Sequence, residues 1–233
     1  MPNTFLAHAY DLGDPWTSHD CPTPDPLYDC QQEWYMGAGI HPRLKYPVGQ
    51  RLAVGAMAIA YGARGHYGVP TIAGCAVDPS GGEDDGVTTL TVRFNETRMR
   101  GAKLAVNVDL EDATLSSMHV EYATGNGATS WAAVNISLSA ADPLAVRLNL
   151  LPLGGATPLA VRYAWGDADA PEGGSDVLCC AEKLEDGVEC SPAACPIMAV
   201  DKAAVYGGLP ANPFLAKIEG GKCVCPLPQR CDA

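Results

Sequence analysis

The chain has 233 residues, 47% of them hydrophobic and 18% charged, enough to bury one good core or one core and part of another. Its formal net charge of −12, with no cluster of Lys and Arg, excludes a nucleic-acid surface, because displacing counterions from a phosphate backbone needs dense cations. No apolar run reaches the about 18 residues that a membrane-spanning helix requires, and 25 Gly with 19 Pro favour strands and turns over long helices.

The first predicted element is a short apolar run over residues 4–10, read as a buried strand that ends in the loop Asp11-Leu12-Gly13-Asp14-Pro15. Residues 15–39 are too rich in Pro, Asp, Trp and Tyr for a helix and too long for an ordinary connection. They read as an insertion loop stapled by a Cys21–Cys30 disulfide. His41 follows, its backbone restricted by Pro42 to extended geometry. From Val48 the apolar residues Leu52, Val54, Met57, Ala58, Ile59 and Tyr61 take helical spacing, with Gln50 and Arg51 on the other side and Gly62 as the stop.

Beyond residue 65 the helical signal gives way to short β-type runs at 88–94, 103–108, 118–122, 131–138, 145–151 and 159–164, separated by turn residues at the spacing of an antiparallel sandwich. This predicts a boundary near residues 63–72 and a β-sandwich domain over 67–218. Within it, residues 168–204 read as a disulfide-held insertion, and residues 219–233 as a short cysteine tail.

Ten cysteines are dense for a cytosolic chain and ordinary for one folded in an oxidising compartment. The bridge candidates are Cys21, Cys30, Cys179, Cys180, Cys190, Cys195, Cys223, Cys225 and Cys231. A structural zinc site is the poorer reading, because Cys190-x4-Cys195 and Cys223-x-Cys225 have no nearby histidine and no paired C-x2-C spacing. Nor do His8, His19, His66 and His119 have metal-ligand spacing; they read as surface or strand-end residues. The sequons Asn95-Glu96-Thr97 and Asn135-Ile136-Ser137 suit a secretory route. Since Met1-Pro2-Asn3-Thr4-Phe5 carries no basic and apolar leader, the expectation is a secreted chain whose beginning is missing.

The run Ile40-His41-Pro42-Arg43-x-Lys45-x-x-Val48-Gly49-x-Arg51-Leu52-Ala53, preceded by Tyr10-Asp11-Leu12-Gly13-Asp14 and followed by Tyr61-Gly62, resembles the end of the catalytic domain in the sialate O-acetylesterase family. A second match, Val161-Arg162-Tyr163-Ala164-Trp165-Gly166-Asp167 and then Gly208-Leu209-Pro210-Ala211-x-Pro213-Phe214, resembles the closing β-domain of that family. Together they cover residues 4–66 and 159–218. The resemblance implies an α+β chain: residues 1–66 as the remnant of an α/β SGNH-type hydrolase domain, then the antiparallel sandwich. It also implies an extracellular or lysosomal setting, an O-acetylated sugar as substrate, ester hydrolysis as the reaction, and no metal or other cofactor.

By that resemblance His41 is the general base, a role that suits a near-neutral imidazole held on a proline-fixed loop. Many relatives place an Asp two residues before the histidine, where this chain has Gly39. Asp11 or Asp14 can serve if the loop folds back, since an orienting carboxylate need only reach Nδ1; the other reading of both is an Asx turn closing the strand. Arg43 is a candidate to hold a sugar carboxylate, against the commoner reading of a solvent-exposed charge beside a helix start. The family's serine nucleophile has no match: only Ser18 precedes His41, and Gly173-Gly174-Ser175-Asp176 has no strand leading in and no helix leading out. Three readings stand: part of an acetylesterase lacking its nucleophile, a non-catalytic secreted sandwich that binds carbohydrate or protein, or a chain whose missing half is supplied by another chain, the last with no support in the sequence.

Overall fold

Alternation of side chains along each strand builds the protein's core. In a computed structural model the described residues are 7, 46–62, 69–79, 87–99, 101–106, 118–125, 127–164, 195–200 and 208–224. Helix α1 (Tyr46–Ala60) comes first. Then follow β1 (Ile72–Asp78), β2 (Thr89–Phe94), the single-turn helix α2 (Glu96–Met99), β3 (Lys103–Val106), β4 (Met118–Ala123), β5 (Thr129–Val134), β6 (Ile136–Leu138) and β7 (Ala145–Asn149). A 3-10 turn (Leu151–Leu153) leads to β8 (Pro158–Tyr163), β9 (Ile197–Val200), β10 (Gly208–Pro210), β11 (Phe214–Glu219) and β12 (Lys222–Val224). Among the described residues no helix is long and apolar enough to cross a membrane.

In β2 the side chains of Leu90, Val92 and Phe94 are fully buried while Thr91 and Arg93 point away; β4 buries Met118 and Val120 and turns out His119 and Glu121. This period of two gives such strands one core face, whereas β7 buries Ala145, Val146, Arg147 and Leu148 on both of its faces. Among the described residues all pairings are antiparallel, in a nine-stranded sheet of order β5-β4-β8-β11-β12-β1-β2-β7-β6 and a three-stranded sheet of order β10-β9-β3.

The large sheet curls on itself. Its two edge strands, β5 and β6, are consecutive in the chain with only Asn135 between them, and Asn135 O accepts a hydrogen bond from Asn149 N at 3.1 Å. Opposite edges that share one connecting residue must lie close together, so the sheet folds into a sandwich that is nearly a barrel. Sequence alternation predicts a single strand over 131–138; the chain instead changes partner at Asn135, from β4 to β7.

An aromatic trio fills the interior. Phe214 of β11 meets Phe94 of β2 edge to face at 6.5 Å between ring centroids and stacks on Tyr163 of β8 at 5.9 Å. Tyr163 also accepts a hydrogen bond at its hydroxyl from Ile197 N at 3.3 Å, which ties β9 to the sandwich. Ile197 and Ala199 belong to the core. The end of the stretch expected to be a disulfide-held insertion is therefore core strand, a four-residue apolar run too short to declare itself within Cys- and Pro-rich surroundings.

The weakest join in the large sheet is between β1 and β12, where a single pair of residues, Ala76 and Lys222, is in register. A hydrogen bond from Val77 N to Gly221 O at 2.8 Å adds to it, and a Cys75–Cys223 disulfide closes it at a Cα separation of 4.9 Å. Cys75 is not among the bridge candidates of the sequence, and Cys223 falls in the expected tail; both sit in the sandwich instead. Gly220 and Gly221, with φ of +58° and +77°, make the tight β11–β12 turn that positions Cys223, a backbone conformation that suits glycine.

Helix α1 runs where the spacing predicts and ends at Gly62, φ +66°, a left-handed stop. Its polarity differs from the expectation: Arg51 is 5% exposed, whereas Leu52, Met57 and Tyr61 are 47%, 49% and 77% exposed. A buried arginine is not left without a partner, and Arg51 has an interaction of its own.

Candidate functional site

The residues that the sequence singles out for chemistry, His41, Asp11, Asp14 and Arg43, lie outside the described residues, as do Cys21, Cys30, Cys179, Cys180, Cys190, Cys225 and Cys231. What the structure describes of the histidine segment is the helix that follows it. Cys195 is buried and disulfide-bonded, as the sequence leads one to expect. Among the described residues no group of three His, Cys, Asp or Glu side chains is placed to hold a metal ion.

The described residues do bring together a polar and aromatic surface on the outer face of β5, β4, β8 and β11. On this face the alternation turns out Trp131 from β5, His119 and Glu121 from β4, Arg162 from β8, and Leu215 and Lys217 from β11. Register sets their arrangement: Glu121 pairs with Trp131, and His119 pairs with Arg162, which pairs in turn with Leu215. The Arg162 guanidinium lies over the Trp131 indole, with its carbon 4.2 Å from the ring centroid. A cation set over an aromatic face in this way is worth about 0.5–1 kcal/mol at an exposed position and about 2 kcal/mol when desolvated, and both residues are half-buried here.

Arg162 Nε is buried and has no hydrogen-bond partner among the described residues. The stacking on Trp131 is what fixes this guanidinium in place. The face therefore offers a flat apolar ring, a fixed cation and the Glu121 carboxylate within one small area. With one indole face taken by the guanidinium, the Arg162 and Glu121 side chains can exchange hydrogen bonds with the hydroxyls of a sugar.

No protein-family model and no curated protein matches this chain. Among solved structures, a carbohydrate acetylesterase from Xanthomonas citri is similar over 76% of this chain, at 20% identity and a TM-score of 0.46. The chain spans 29% of that enzyme's length.

Sequence reasoning puts Trp131 and Arg162 on strands without bringing them together. Outward positions can be counted along each strand, but their adjacency depends on β4 lying between β5 and β8, a pairing order that local periodicity does not carry.

Proposed function

We propose that this chain is part of a carbohydrate O-acetylesterase of the sialate O-acetylesterase kind, with His41 as general base, Asp11 or Asp14 orienting it, Arg43 at the sugar carboxylate, and the sandwich as its accessory domain. The observation that carries the reading is the His41 segment itself, in which a proline-fixed histidine is followed by a helix of the expected length and stop. In the reaction the imidazole takes the proton of a serine hydroxyl as that oxygen attacks the acetyl carbonyl, then returns it to the departing sugar oxygen. The chain displays no serine in a nucleophile segment, so turnover requires that group from elsewhere.

The test is complementation. The chain is mixed with a separately expressed amino-terminal part of a sialate O-acetylesterase that carries the serine, and release of acetate from an O-acetylated sialoside is followed. Wild type restores turnover, and His41→Ala lowers it by about a thousandfold or more, the scale of losing a triad base. Restored turnover that is indifferent to His41→Ala, or no turnover with any serine-bearing partner, overturns the reading.

A second reading, a non-catalytic sandwich that binds carbohydrate, is favoured by the Trp131–Arg162–Glu121 face. Its test is glycan binding by wild type and Trp131→Ala in the absence of any serine-bearing partner. Binding that Trp131→Ala leaves unchanged counts against it.

A further inference from the structure

Of the two sequons, the fold gives their asparagines different work. Asn95 is half-buried at the start of α2, where its Oδ1 accepts a hydrogen bond from Arg98 N at 2.9 Å and its carbonyl accepts one from Met99 N at 3.0 Å. It is the N-cap of that turn, half-buried and with its Oδ1 engaged by a helical amide. Asn135 is exposed at the corner between β5 and β6, held there through its backbone carbonyl and Asn149 N. Ala133, Asn135 and Ser137 are all exposed while Val134 is buried and Ile136 packs on the core, so the sequon asparagine and its hydroxyl residue face outward together.

We propose that Asn135 is an N-glycosylation site and that Asn95 is a helix cap left unmodified. The donor is a lipid-linked oligosaccharide of the secretory pathway. Asn135 Nδ2 forms a bond to the anomeric carbon as the bond from that carbon to the lipid pyrophosphate breaks; the pyrophosphate leaves with the electron pair, and Nδ2 gives up one proton to a base of the transferase. No oxidation or reduction takes place.

The placement gives the glycan a physical consequence. Among the described residues β5 pairs only with β4 and β6 only with β7, so each has one side without ladder partners, and the two meet at Asn135. Leu138, 47% exposed, lies three residues further on. Unpaired edges beside exposed apolar side chains are templates for association between chains. A hydrated oligosaccharide at the corner stands in front of both.

The experiment expresses the full chain behind an added secretory leader in a eukaryotic host. An amidase that removes N-glycans and leaves aspartate at the modified position is applied to cell-associated and secreted protein alike, so that a variant retained in the cell still reports. Wild type is expected to lose one glycan on treatment and Asn95→Gln to behave in the same way, while Asn135→Gln and, independently, Ser137→Ala show no shift. Wild type without a shift, or a glycan that persists on Asn135→Gln, overturns the assignment.

Discussion

Replacing Cys75 and Cys223 together with Ala removes a cross-link that spans 148 residues of sequence at the join where a single residue pair connects the two halves of the large sheet. The loss follows from the unfolded chain. Releasing a loop of that length restores conformational freedom worth about 5 kcal/mol at 25 °C in the chain-entropy treatment. Measured losses commonly fall below that limit, so the expected loss is about 2–4 kcal/mol. At about 2–4 °C per kcal/mol for a domain of this size, the thermal midpoint falls by about 5–15 °C. Guanidinium titrations of wild type and of the double variant, followed by far-ultraviolet circular dichroism, measure the change as a lower midpoint. A loss below about 0.5 kcal/mol, with peptide mapping showing the bridge intact in wild type, would refute the reasoning, because the β1–β12 join would then need no covalent closure.

Phe214→Ala empties the centre of the aromatic trio and is expected to cost about 3–5 kcal/mol by denaturant unfolding, since the ring touches both Phe94 and Tyr163. Tyr163→Phe keeps the ring but strips Ile197 N of its acceptor, a loss of about 1–3 kcal/mol that hydrogen exchange should show concentrated in β9. A double-mutant cycle with Trp131→Ala and Arg162→Ala is expected to return a coupling of about 0.5–2 kcal/mol, and a value near zero would mean that the stacking holds neither group. Asp142→Asn at the exposed pair with Arg93 is expected to change stability by less than about 1 kcal/mol, because one side chain of that pair is 49% and the other 33% accessible.

Elements whose signal is local are legible in the sequence. The alternation of β2, β4 and β8 follows from the preference of apolar side chains for one face, and α1 is marked by its helical spacing and glycine stop even though Leu52, Met57 and Tyr61 on that spacing are exposed. Strands β9 and β12, four and three residues long, span too few periods to stand out, and their context points elsewhere. Burial of Arg51 against the apolar pattern of α1 depends on which groups meet its guanidinium, which helical spacing does not encode. Of the candidate chemistry, the His41 segment is readable as a motif, whereas the Trp131–Arg162 contact is not readable from either strand on its own.

Composition, cysteine density and side-chain period are properties of neighbouring residues, and they suffice to specify a β-rich, disulfide-bonded, acidic protein with a helix ahead of its strands. Three features lie beyond their reach: the run through Asn135 breaks to join opposite edges of one sheet, Cys75 meets Cys223, and Trp131 lies under Arg162. Each depends on which distant strands become neighbours, and that choice is made by packing around the Phe94–Phe214–Tyr163 core rather than by any local preference of the chain.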